Sequence, residues 1–368
     1  MDIPRISTVQ ALLLGIASIA VTGHLLFIPI VLSHSGRDCW LALLAAAIPS
    51  LFVSVVVALL AKRFPGQTIV EYSKSIAGKW VGGVLGLLFI FYFFHDATLS
   101  IRGFGEFFTS AITPRTPIVI YFSAIVILAV YAVRCGIEVI SRTNQMFLFC
   151  IVPVGILASI MTHKDKDYRN FLPILEYGPE PMMMGALSLL SLFSSFLVLS
   201  MVFPSVNDGK KLLSGSMICM GVLIIMFIGP ITGPIAIYGA ERSIGITFPT
   251  FQILRDIRVG ELQRLDLLGI MLWSLGSFGK ISLYLFATTV GIAQLTGVRN
   301  HKVLAGPVGT LMVIVALINS KNFLEIFKFY KYTYPYYSTF FGIVLPTLLL
   351  IVAIVRRKGI RRKGAARS

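Results

Sequence analysis

Charge is what this sequence has least of. Only 13% of its 368 residues are Asp, Glu, Lys or Arg, about half the share found in soluble domains. That is too little to cover a water-facing surface. Cysteine is scarce too: Cys39, Cys135, Cys150 and Cys219 are scattered in or near apolar segments. They show no CxxC or Cys/His spacing that would hold a metal, and they read as small packing residues. No phosphate-binding glycine loop, zinc signature, nucleophile elbow or haem motif occurs. Neither enzymatic chemistry nor a cofactor is therefore expected. Short-period repeats and low-complexity stretches are also missing, apart from a basic tail.

Apolar residues fill the space that charge leaves, at 56% of the chain. A membrane-spanning helix needs about 20 mainly apolar residues. Such runs lie near 9–33, 40–61, 80–111, 117–135 and 143–162, then near 182–206, 212–239, 265–296, 303–320 and 335–355. The first run is too long for a signal-peptide core, which spans about 7–15 residues and ends at a cleavage site. The expectation is an all-α membrane protein of about ten spans, with one transmembrane domain over 1–355 and a basic tail over 356–368. The loop at 240–264 has room for a short interfacial helix.

Loop charge orients the ten spans. The side that holds both termini carries about 18 Lys/Arg and four Asp/Glu, against about 12 and ten on the other side. Cytoplasmic loops are enriched in Lys and Arg, so both termini are expected in the cytoplasm. The tail, with Arg356-Arg357-Lys358, Arg361-Arg362-Lys363 and Arg367, directly follows a span. There it attracts anionic lipid headgroups, and no nucleic-acid partner is expected.

Ionisable residues at membrane depth are candidates for function. Span 3 holds His95, Asp96, Arg102 and Glu106, and span 8 holds Lys280 among the small residues Gly276, Ser277, Gly279 and Ser282. Helical spacing puts His95, Arg102 and Glu106 on one face, with Arg102 and Glu106 four apart and able to pair. Two roles stay open for these groups. One is a structural ion pair with Asp96 at a water pocket and Lys280 partnered by another span. The other is a proton or gating network.

Two spans look weakened near their middles. Span 1 contains Val21-Thr22-Gly23-His24 and then Pro29, and span 6 contains Ser191, Ser194, Ser195 and Phe196 and then Pro204. Glycine lowers helix stability and proline removes a hydrogen bond. Interrupted spans at matched positions of two halves point to a transporter-type binding site. The repeats would then run over about 9–162 and 182–355.

Three segments, ISTVQALLLGIASIAVTGHLLFIP, AKRFPGQTIVEYSKSIAGKWVGGVLGLLFIFYFF and SFLVLSMVFPSVND, resemble the spore germination permease family. That family comprises the B subunits of nutrient germinant receptors, within the amino acid–polyamine–organocation superfamily. The resemblance implies a leucine-transporter-like five-plus-five inverted repeat with broken spans 1 and 6. Thr22, Gly23 and His24 would then lie at one break, and Ser194, Ser195 and Phe196 at the other, around a small germinant of amino-acid type. Lys280 would sit where sodium-coupled relatives bind an ion. The bulk of His24 departs from the small residues common at this place. The implied partners are receptor A and C subunits, and the implied location is the spore inner membrane. A proton-coupled amino acid transporter is the alternative reading.

Overall fold

The computed structural model describes residues 6–207, 209–257 and 265–359. Most of the basic tail (360–368), the first five residues and part of the loop before span 8 lie outside the described residues. Among those described, nine helices are long and apolar enough to cross a membrane. The first of them, Thr8–Arg63, has 56 residues, far more than the roughly 20 a bilayer needs. It folds back at Gly36, where φ is +49°, a conformation that glycine adopts without penalty. The short turn Gly36–Asp38 thus separates span 1 from span 2 (Cys39–Arg63). Ten crossings result.

Spans 3 (Lys79–Ala111), 4 (Ile118–Cys135) and 5 (Ile137–Met161) follow. Span 6 comprises Pro179–Ser194 and Ser195–Met201, and spans 7 and 8 are Leu212–Tyr238 and Asp266–Thr296. Spans 9 and 10 are His301–Ile318 and Phe323–Val355. Two starts differ from the sequence expectation. Span 5 begins at Ile137 because Glu138, Arg142 and Asn144 are helical but polar. Span 10 begins at Phe323 because Lys328 and Lys331 interrupt its hydropathy without breaking the helix.

Burial is inverted relative to a water-soluble protein. Ile48, Phe149, Ile225 and Ile318 stand exposed, whereas Asp96, Thr98, Glu106 and Lys280 are buried. Apolar atoms outside and polar atoms inside suit a hydrocarbon solvent. The protein is a multi-pass membrane protein. The most apolar stretches of spans 3, 6 and 8 are 61%, 72% and 67% buried, against 33%, 11% and 28% for spans 4, 5 and 9. Spans 3, 6 and 8 therefore form the inner bundle. Of the cysteines, Cys39 and Cys219 are buried as packing residues, whereas Cys135 and Cys150 are exposed.

Contacts between elements assign the loops to two faces. On one, Arg63 donates to the carbonyls of Ala353 and Lys358, and Arg356 donates to that of Ile76. Ile6 bridges Val206 on the same side. On the other, the loop after span 5 packs on the turn between spans 1 and 2 and on the end of span 7. The interfacial helix expected at 240–264 is present as two, Ala240–Ile244 and Pro249–Asp256.

A further helix, Ile69–Ala77, follows span 2. Thr68 caps it by accepting from the Glu71 N–H, and the Glu71 carboxylate accepts from the Thr68 N–H. This reciprocal box satisfies two otherwise free amides. The chain then reverses at Gly78, and the helix packs so closely on span 3 that a Cβ at Gly82 would overlap the backbone of Ser73 and Lys74. Gly83, one residue on, faces open space. Gly82→Ala is therefore expected to destabilise the protein by about 1–3 kcal/mol. Gly83→Ala should be neutral or stabilising by up to ~1 kcal/mol, since alanine is the better helix former. Melting midpoints of the two purified variants in one detergent check the contrast.

Candidate functional site

The interruption in span 1 has a specific cause. Pro29 has no N–H to donate, and the preceding amide, of Ile28, bonds back five residues to the Gly23 carbonyl. The wider turn Gly23–Phe27 is the result, and the His24 carbonyl is left without a helical donor. The Thr250 hydroxyl, on helix Pro249–Asp256, donates to it at 3.1 Å. Such π-type turns commonly mark functional sites.

Span 10 repeats this arrangement twice. Phe329–Thr333 is a wide turn with Pro335 six residues after its start, and Phe340–Val344 is another with Pro346 six after. The Lys331 carbonyl, deprived of its usual partner by Pro335, lies 3.4 Å from Nε2 of His34.

Span 6 changes in the opposite sense, tightening at Ser195. The Ser195 N–H turns to the Leu192 carbonyl, three residues back, which frees the Ser191 carbonyl. Ser338 donates to Ser191 at 2.8 Å, and Tyr284 donates to the Ser195 carbonyl at 3.3 Å. Both breaks thus remain helical in backbone direction. What they free is hydrogen-bonding capacity.

Between these segments lies a charged centre. Asp96, fully buried, takes the Lys280 ammonium at 2.9 Å on one oxygen and the Tyr334 hydroxyl at 2.6 Å on the other. Tyr334 also lies 3.4 Å from Oγ of Ser195, and the Lys280 ammonium sits 5.1 Å from the centre of the Tyr284 ring. Phe27, at the end of the wide turn in span 1, presses edge-on against Tyr330 and Tyr334, with ring centres 5.4 and 5.6 Å apart. Spans 1, 3, 6, 8 and 10 therefore meet at one place. A buried carboxylate needs both its charge partner and its hydrogen bonds to stay in such a position.

The intramembrane groups proposed as one network separate into three units. Arg102 and Glu106 pair with each other as their spacing predicts, both buried in the C-terminal half of span 3. His95 does not share their surroundings. Its Nδ1 lies 3.2 Å from the Tyr337 hydroxyl, and its ring packs among Phe91, Phe329 and Tyr337. Asp96 adjoins the Lys280 ammonium. One turn beyond Arg102, Phe107 packs edge-on against Phe248, Phe251 and Trp273. Helix Pro249–Asp256 thus lies over this end of span 3 like a lid.

The residues expected at the two breaks are all close-packed, but in different surroundings. Thr22 is buried, and Gly23 lies where any side chain would meet Phe227 and Leu192. The His24 ring is half-buried, 5.3 Å from that of Phe227. Ser194 bonds back to the Leu190 carbonyl and packs on Gly342, and Phe196 is fully buried. Ser195 alone of the six reaches the charged centre. Tyr284, Tyr330, Tyr334, Ser338 and Thr250 were not singled out from the sequence. The signals that could have found them are the tyrosine-rich stretch Tyr330–Tyr337 and the recurrent proline six residues after each wide turn. Among the described residues, the buried side-chain donors without a hydrogen-bond partner include the Tyr330 hydroxyl and Nε of Arg102.

The sequence profile of the family described as "Spore germination protein" matches residues 5–324. The chain belongs to the spore germination protein family. Among its family relatives, spore germination protein KB of Bacillus subtilis is 28% identical over 89% of each chain. Spore germination protein XB of Bacillus anthracis is 23% identical over 96% of this chain and 98% of its own. The fold also resembles solved transporters. MhsT, crystallised in complex with L-phenylalanine, superposes with a TM-score of 0.65 at 14% identity, over 96% of this chain and 99% of that one. A Na+-coupled sialic acid symporter in a substrate-bound outward-open state superposes at 0.67 and 12% identity, over 98% and 91%. This family member therefore has the leucine-transporter-like fold, two sets of five spans with interrupted spans 1 and 6.

The Asp96–Lys280 pair makes a sharp energetic prediction for this spore germination protein. Lys280→Met leaves a buried carboxylate uncompensated and should cost about 3–5 kcal/mol. Adding Asp96→Asn removes the stranded charge and should restore most of the loss. Denaturation midpoints of the single and double variants test this. A double variant no more stable than Lys280→Met would show that the two groups do not act as a pair.

Proposed function

We propose that this protein is the membrane-embedded subunit of a nutrient germinant receptor, binding a small germinant of amino-acid type and thereby triggering spore germination. The observation that carries this reading is the convergence of the two interrupted spans on the Asp96–Tyr334–Ser195 centre. An amino acid presents a carboxylate and an ammonium together. The interior offers complementary groups: hydroxyl donors near the breaks, the unused Nε of Arg102, and the carboxylates of Asp96 and Glu106. Carboxylates bind well to convergent N–H and guanidinium donors. Membership of the germination family and a fold shared with a protein solved around L-phenylalanine support the same reading.

On this account the ligand contacts Thr22, Gly23 and His24 on one side and Ser194, Ser195 and Phe196 on the other. Binding favours one arrangement of spans 1 and 6 against spans 3 and 8, since a ligand shifts only the equilibrium between states it binds unequally. The change passes to A and C partner subunits. The repeats correspond to about 9–162 and 182–355, and both termini face the cytoplasm from the spore inner membrane, as the loop charges indicate. Anionic lipid headgroups are the partner of the basic tail at 356–368, most of which lies outside the described residues.

A proton-coupled amino acid transporter is the second reading. The observation that favours it is the buried Asp96–Lys280 ion pair within a transporter fold.

Purified protein screened against the twenty standard L-amino acids by thermal shift tests the binding claim, because a ligand that binds only the folded state raises its melting temperature. At least one amino acid should raise it. Tyr334→Phe, which keeps the ring but removes the bond to Asp96, should weaken that response several-fold. No shift from any amino acid would contradict the assignment. Germination lost in a deletion strain, with amino acid uptake in growing cells unchanged, supports the receptor. Uptake of labelled amino acid into liposomes holding this protein alone supports the transporter.

A further inference from the structure

A second polar site lies well away from the charged centre, on the loop face opposite Arg63 and Arg356. Arg37, in the turn between spans 1 and 2, donates to the Leu172 carbonyl and the Glu176 carboxylate, both at 3.0 Å. Next to it, the Asp38 carboxylate accepts from the Leu175 N–H at 2.9 Å. The same loop is tied to the end of span 7: the Asp167 N–H and the Asn170 amide both donate to the Ala236 carbonyl, at 2.8 and 3.1 Å. These ties border an open cavity of about 350 Å³ lined by Arg37, Arg169, Asn170, Tyr238, Glu241 and Arg242, with Leu172 and the chain at Gly239 and Ala240.

Three guanidinium groups from three separate segments converge there, and Glu241 is the one carboxylate among the lining residues. Arg37 is held by Glu176, and Arg242 is held 5.0 Å from the centre of the Tyr238 ring. Neither Arg169 nor Arg242 is in an ion pair among the described residues. Two cationic groups without an ion-pair partner, set against the one lining carboxylate Glu241, leave the lining net positive and able to draw an anion. Guanidinium groups match the planar, paired oxygens of carboxylates and phosphates. The volume suits a small molecule rather than a peptide segment.

We propose that this cavity binds a small, water-soluble polyvalent oxyanion, of the polycarboxylate or phosphate class. Such an anion bridges the loop after span 5 to helix Ala240–Ile244. The Tyr238 hydroxyl donates to the Asp256 carboxylate at 2.7 Å, which links the cavity to the last residue of the lid helix. That helix holds the His24 carbonyl through Thr250. An anion here therefore steadies the lid over the wide turn in span 1. The binding claim is independent of the germinant assignment; only the coupling to the lid rests on it.

The test measures melting temperature of the full-length protein against citrate and against inorganic phosphate, each compared with chloride at matched ionic strength. A saturable rise with citrate or phosphate beyond that with chloride is expected. Arg169→Ala with Arg242→Ala should weaken it at least tenfold, while Glu241→Gln, which removes the lining carboxylate, should strengthen it several-fold. If the double variant fails to fold, Glu241→Gln decides alone. A response equal to that of chloride overturns the proposal, as does one unchanged in the arginine variant, or one unchanged or weakened by Glu241→Gln. A matching response to short-chain phosphatidylglycerol but not to free phosphate would assign the site to lipid and equally overturn it.

Discussion

Within hydrocarbon, every backbone polar group needs a partner from the protein itself, and this chain is organised around the places where its helices cannot supply one. Pro29, Pro335 and Pro346 each withhold an amide, and each lies six residues after the start of a wide turn. Ser195 withholds another by bonding three residues back rather than four. The carbonyls set free are met by side chains from other elements: His24 by Thr250, Ser191 by Ser338, Ser195 by Tyr284. Each such bond ties one span to another. Interrupting the helices is thus what connects the lid, span 6, span 8 and span 10 into a single site.

The Asp96–Lys280 pair gives that site a fixed frame. Two opposite charges 2.9 Å apart away from water hold span 3 to span 8 strongly, because neither can leave without stranding the other. Small residues make the approach possible. Gly276 lies against Val21 of span 1, and Gly279 against Asn144 of span 5, so span 8 packs tightly on both sides of its lysine. Against this frame, spans 1, 6 and 10 are the elements with hydrogen bonds to exchange.

Much of the fold was legible in the sequence because hydropathy reports burial in lipid directly. Spans 1 to 4, 7 and 8 begin and end close to where apolar runs begin and end. Spans 5 and 10 start earlier, since a helix packed against protein tolerates Arg142 or Lys331 where a hydropathy run does not. The capped helix Ile69–Ala77 has a readable signature in Thr68 and Glu71, but it is too short to register as a span. The charged groups were found, and the Arg102–Glu106 pair followed from helical spacing. The Asp96–Lys280 bond did not, because the two residues lie far apart in the chain and nothing local encodes their meeting. The role of Tyr334 was hidden for the same reason.

The central claim is that spans 3 and 8 form a fixed frame while the interrupted segments of spans 1 and 6 respond to ligand. Hydrogen–deuterium exchange resolved by peptide, with and without a bound amino acid, measures this directly. The account predicts that exchange slows at Gly23–Phe27 and Ser195–Met201, while the stretches around Asp96 and Lys280 are protected from the outset and do not change. Uniform slowing across all spans, or slowing that spares both interrupted segments, would contradict it.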